Sequence, residues 1–179
     1  WMPDAAYGLG YPFFSYYSAL PYYIAGLLVL IGLDILSALK LVQTLGFVTA
    51  GLAMYGWTRQ IVPRERLSPW AAWLAAVAFT LAPFHLVNVY VRGDSLSEFW
   101  AFSFYPLILW GVDRLVAPVS PGTRCNPRVS PRWVWLALSY AGLILTHNIS
   151  ALIFSPFVVS YWLFRAFSAR DRVVARNVL

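Results

Sequence analysis

The chain has 179 residues, of which 60% are hydrophobic, 18% aromatic and only 11% charged; a soluble domain carries about 25% charged residues. With a mean hydropathy of +0.65, this excludes an ordinary water-soluble domain and points to an all-α integral membrane protein. The net charge of +6 lies in short basic clusters between apolar runs, a pattern that orients helices in a bilayer and does not point to nucleic acid. The single cysteine, Cys125, excludes an internal disulfide and a cysteine-based metal site.

Residues 1–16 are rich in Gly, Pro and Tyr and read as an outer loop at the membrane–water interface, where an aromatic ring is apolar and its hydroxyl wet. Gly8-Leu9-Gly10 is no nucleotide loop, because no strand precedes it and no third glycine follows at the required spacing. Residues 17–33 form a first apolar run. It is short, and Pro21 and the tyrosines suit an interface, so a juxtamembrane helix is preferred to a spanning one. Spanning helices are expected over 37–57, 70–90 (kinked or ended near Pro83), 98–116, 133–147 and 150–167, about 20 apolar residues being needed for a crossing. The stretch from Trp133 to Phe167 is too long for one crossing and has arginines at both ends, so it divides near Thr146-His147-Asn148. The expected architecture is a polytopic helix bundle of about five spanning helices in a single transmembrane domain.

The arginine-rich loops 58–69, 117–132 and 165–179 are expected to be cytoplasmic, which puts the turns 91–97 and 146–150 outside. Asp34 and Lys40 mark the boundary at the start of the 37–57 helix. Arg92 is then a basic residue on the disfavoured face, which points to a specific partner such as a phosphate. Asp94 and Glu98 are four residues apart and share a helix face; a carboxylate pair there can act as general base or hold a cation or sugar hydroxyl. Ser95-Leu96-Ser97-Glu98 also reads as a capping box, with Asp94 favouring the positive helix end. A capped helix end is itself an anion site, so the readings coexist. His147 and Asn148 stand at the other outer turn as candidate headgroup contacts or ordinary turn residues, and His85 follows Pro83. Asp4, Tyr7 and Tyr11 sit in the aromatic N-terminal stretch, Asp4 as a further candidate acid or a plain turn residue, Tyr7 and Tyr11 as candidate substrate contacts. Two histidines on different helices are a weak metal signal, and no metal site is assigned.

Trp1-Met2-Pro3-Asp4, Gly8-Leu9-Gly10-Tyr11-Pro12-Phe13-Phe14 and Tyr17-Ser18-Ala19-Leu20-Pro21-Tyr22-Tyr23 together resemble the first outer loop of GT-C-type membrane glycosyltransferases. Ala38-Leu39-Lys40-Leu41, Met54-Tyr55, Ala82-Pro83-Phe84-His85-Leu86, Arg92-Gly93 with Glu98, and Leu145-Thr146-His147 extend the resemblance over most of the chain. It is nearest to bacterial membrane proteins described as related to 6-pyruvoyl-tetrahydropterin synthase, although nothing here resembles the soluble pterin enzyme. The resemblance implies transfer of a sugar from a polyprenyl-phosphate donor on the extracytoplasmic side of the plasma membrane; it fixes no cofactor, a divalent cation such as Mg or Mn being the one candidate. It also implies that 17–33 lies in the membrane plane. Two departures stand out. Leu96 occupies the place of the second acid of an Asp-x-Asp pair. The usual base of the first outer loop is absent, and since Trp1 is no natural start, the chain is expected to be an N-terminally truncated piece, inactive alone. A transporter or flippase of a lipid-linked or anionic substrate needs polar residues at mid-span, where this sequence has almost none. A non-catalytic scaffold is the remaining alternative, and it requires the outer charges to be freely replaceable.

Overall fold

The computed structural model describes residues 3–4, 7–11, 19–62, 69–91, 96–116 and 131–178. Its regular structure is α-helical: α1 (Leu20–Leu30), α2 (Ile35–Ile61), α3 (Pro69–Thr80), α4 (Pro83–Tyr90), α5 (Leu96–Val116), α6 (Pro131–Thr146) and α7 (Asn148–Val178). Among the described residues three segments are long and apolar enough to cross a membrane: Ile35–Ile61, Trp70–Tyr90 and Asn148–Ser168.

Local chemistry sets the ends. α1 has Pro21 in its first turn, where the missing N–H is no loss. It ends on Gly32 at φ +105°, with the Leu33 amide reaching back to the Leu28 carbonyl at 3.1 Å and Gly32 to Val29 at 3.0 Å; glycine alone enters that backbone region without strain. At 11 residues α1 is about 16 Å long, well short of the ~30 Å hydrocarbon layer. Two residues later Asp34 caps α2, its Oδ2 accepting from the Ser37 amide at 3.0 Å.

Bonds from the Ser37 side chain, then its amide, hold the exposed Asp34 carboxyl below its ordinary pKa. Because the folded value is lowered, the cap contributes above the unfolded value of about 3.9 and is lost as pH falls through the folded one. A carboxyl carbon titration of Asp34 should therefore have its midpoint below that of an unstructured aspartyl peptide. The thermal stability gap between the native chain and Asp34→Ala should close below pH ~4. A midpoint at or above the peptide value contradicts the cap.

The segment Trp70–Tyr90 is broken at Leu81-Ala82. Pro83 lacks the N–H that would bond to the Phe79 carbonyl, four residues back. The ring of His85 replaces it: Nδ1 lies 2.9 Å from the Phe79 oxygen, which makes Nδ1 the protonated nitrogen. His85 is 1% exposed and sits among Phe47, Phe79, Phe99 and Phe102, with centroids 4.7–6.1 Å away.

α5 is the hub, packing against α1, α2, α4, α6 and α7. α2 meets it with Ala38, Val42, Gly46, Ala50 and Ala53, all buried at three- to four-residue spacing. Small residues let two backbones approach, as they do between membrane helices. Two side chains of α5 use that closeness: Trp100 Nε1 donates to the Val42 carbonyl at 3.1 Å and Ser103 Oγ to the Gly46 carbonyl at 3.0 Å. On its other side α5 runs antiparallel to α6, with Gly142 under the Phe104 ring and Gly111 against Leu136.

Thr146 closes α6 and Asn148 opens α7, with His147 as the entire joint. α7 continues to Val178, eleven residues past the expected 167. The apolar run stops there, but Ala169, Arg170, Arg172 and Ala175 are good helix formers and no Gly or Pro interrupts them.

Candidate functional site

The charged side chains of the described helices gather at the two ends of the bundle. At the first end α5 begins at Leu96, so Glu98 is its third residue, the place a capping box requires; Ser95, Asp94 and Arg92 lie outside the described residues. The first turn of α5 is walled by α1 and the start of α2: Leu96, Phe99 and Trp100 form one buried cluster with Ala25 and Val42, with Tyr22 and Val89 against it. Glu98 is half-buried at this wall.

The α6–α7 joint arrives at the same end, because α6 is antiparallel to α5. His147 caps α7: its carbonyl accepts from the Ala151 amide at 3.1 Å, and its Nδ1 accepts from the Ser150 amide at 3.2 Å and lies 2.7 Å from Ser150 Oγ. An Nδ1 that accepts is unprotonated, so the neutral ring carries its proton on Nε2. The Tyr105 hydroxyl lies within interaction range of both Ser150 and Glu98. Glu98 and Tyr105 are two turns apart on one face of α5. The line of polar groups at this end therefore includes Glu98, Tyr105, Ser150 and His147. Asn148 is exposed beside it, its Oδ1 bonded to the Ile149 amide at 2.8 Å.

Of the residues singled out from sequence, Glu98, His147 and Asn148 lie at this same end of the bundle. Asp4, Tyr7 and Tyr11 are exposed, with Tyr7 at φ 57°; no contact joins Asp4 or Tyr7 to this line among the described residues. Tyr105 and Ser150 were missed, although Tyr105 lies at helical spacing from Glu98. Among the described residues no three His, Cys, Asp or Glu side chains converge, so the divalent cation considered from sequence has no ligand set there.

The opposite end collects Arg59, Arg114, Arg132 and Arg165. Its centre is Asp113, 1% exposed. One Asp113 oxygen accepts from Trp57 Nε1 and from the Tyr161 hydroxyl, each at 2.8 Å; the other meets Arg165 Nε at 2.5 Å. Arg114 lies over the Trp110 and Trp135 rings, 4.6 and 5.4 Å from their centroids, and its carbonyl accepts from Arg132 at 3.2 Å. Asp113 thus ties α2, α5 and α7 together, and its donors leave its oxygens little capacity for a substrate. From His147 to Arg165 along α7 is about 27 Å and from Glu98 to Asp113 along α5 about 22 Å. The two polar ends are separated by an apolar layer close to the ~30 Å of a bilayer core.

The chain is 25% identical over 162 residues, 90% of its length, to an uncharacterized protein of Lactococcus lactis subsp. cremoris (strain MG1363), and it spans 25% of that relative. No family model matches the chain, and no solved structure matches it.

Proposed function

We propose that the chain is a piece of the membrane part of a GT-C-type glycosyltransferase that uses a polyprenyl-phosphate sugar donor at the extracytoplasmic face of the plasma membrane. In this reading α2, the broken α3–α4 pair, α5, α6 and α7 are five crossings and α1 lies along the interface. The observation that carries it is the convergence of Glu98 and His147, from separate helices, at the end opposite the described arginines. The length of α1 and the roughly 22–27 Å between the charged ends support the in-plane and spanning roles given to these helices.

The chemistry follows from charge. The acceptor hydroxyl gives up its proton to a carboxylate, its oxygen bonds to the anomeric carbon from the face opposite the phosphate, and the carbon–oxygen bond to phosphate breaks with its electron pair. Arg92 neutralises the phosphate as it leaves, the kind of stabilisation that dominates such reactions. Glu98 and Asp94 take the proton or hold sugar hydroxyls, and Nε2–H of His147 donates to a substrate oxygen. In the full-length protein, reconstituted with polyprenyl-phosphate sugars, Glu98→Gln and Arg92→Ala should each lower transfer about 10²–10⁴-fold with insertion unchanged. Full transfer by both variants sinks the assignment.

A further inference from the structure

An apolar groove of about 490 Å³ runs between α2 and α3, bordered by Phe47, Gly51, Leu52, Tyr55, Trp73 and Thr80. At Leu52 and Tyr55 it joins a second depression that leads to Arg59, Gln60 and Trp110. The groove is thus apolar along most of its length and cationic at one mouth. Arg59 is exposed and held there by Tyr55, whose hydroxyl accepts from Nη1 at 3.3 Å and whose ring centroid is 5.6 Å from the guanidinium carbon. Arg114 lies over the ring of Trp110, which lines this mouth. The buried carboxylate of this end, Asp113, is taken by Arg165, so among the described residues no acid neutralises Arg59 or Arg114.

We infer that this groove is a binding site for an anionic phospholipid of the leaflet at the arginine-bearing end, one acyl chain between α2 and α3 and the phosphate at Arg59. The inference rests on the membrane reading above but not on sugar transfer. Charge complementarity selects the headgroup: a guanidinium on an aromatic face favours a net-negative lipid over a zwitterionic one. Length selects the tail. From Phe47 to Arg59 along α2 is about 18 Å, close to half of the ~30 Å hydrocarbon core. The groove therefore ends near the midplane, where a leaflet acyl chain ends and a long polyprenyl chain does not. Trp73, at 60% exposed, and Tyr55 meet edge to face at 6.4 Å and form the wall that separates the chain from bulk lipid.

The test is thermal unfolding of the full-length protein in neutral detergent with added phosphatidylglycerol, phosphatidylcholine, polyprenyl phosphate or inorganic phosphate. Phosphatidylglycerol should raise the midpoint by about 3–6 °C, as a ligand at some ten times its dissociation constant does; phosphatidylcholine and inorganic phosphate should not. Arg59→Gln and Leu52→Trp should each remove at least half of the shift. Leu52 is 64% exposed, so its replacement fills the groove without disturbing the core. An equal shift from phosphatidylcholine, a larger one from polyprenyl phosphate, or an undiminished shift in both variants overturns the inference. Release of the chain from membranes by alkaline carbonate would instead overturn the membrane reading itself.

Discussion

Replacing Asp113 with alanine should destabilise the protein by about 3 kcal/mol, the lower end of what removing one member of a buried ion pair costs. The lower end applies because the Arg165 side chain is 23% exposed and its guanidinium recovers some water. Trp57 Nε1 and the Tyr161 hydroxyl lose their acceptor in the same step. Arg165→Met should cost more than Asp113→Ala, because it strands a carboxylate whose side chain is 0% exposed and not a guanidinium that reaches solvent. Asp113→Asn keeps the shape and an acceptor oxygen and should fall between the native chain and the alanine variant. Unfolding in mixed micelles with rising denaturing-detergent fraction measures all three. A loss below ~1 kcal/mol for Asp113→Ala would reduce the cluster to an exposed pair.

Gly142→Val should be the most damaging single methyl-scale change in the apolar layer. A Cβ at Gly142 falls on Cε1 and Cζ of Phe104, and the branched side chain adds two carbons where α5 and α6 already touch. Overpacking of this kind costs about 1–3 kcal/mol. Because the clash has one dominant partner, Phe104→Ala in the same chain should recover part of the loss, with the double variant more stable than the sum of the singles by about 0.5–3 kcal/mol. Strict additivity in the same micellar unfolding assay would show that the helices accommodate the methyls by moving apart.

The helical class and most breaks are legible in the sequence because they depend on residues close together in the chain. Pro83 removes a donor four residues from Phe79, His147 stands between two apolar runs, and Asp34 precedes Ser37 at capping distance. The end of α7 is not legible from hydropathy, since apolarity marks where lipid stops and not where helix stops. Asp113 is invisible for another reason. In sequence it is one acid at the end of an apolar run, next to Arg114, and that neighbour looks like its partner. The structure pairs it instead with Trp57, Tyr161 and Arg165, 48–56 residues away, and turns Arg114 onto two indoles. The role of His85 was readable in principle: a Pro-x-His sequence supplies a donor close to where proline removes one. Among the site candidates, Glu98 and His147 converge through the antiparallel packing of α5 and α6, a relation that no local motif encodes, and Arg92 and Asp94 lie outside the described residues.

The spacing of Asp113's partners also sets a schedule for synthesis. Trp57 is made before Asp113, but Tyr161 and Arg165 follow it by 48 and 52 residues, about 3–10 s at ribosomal speed. In that interval at most one of the carboxylate's three donors exists, and the set is complete only once α7 has been made. His85 imposes no such wait: its acceptor, Phe79, lies six residues back and leaves the ribosome first. One chain thus carries a polar contact whose two partners are made almost together and another whose partners are complete only with α7.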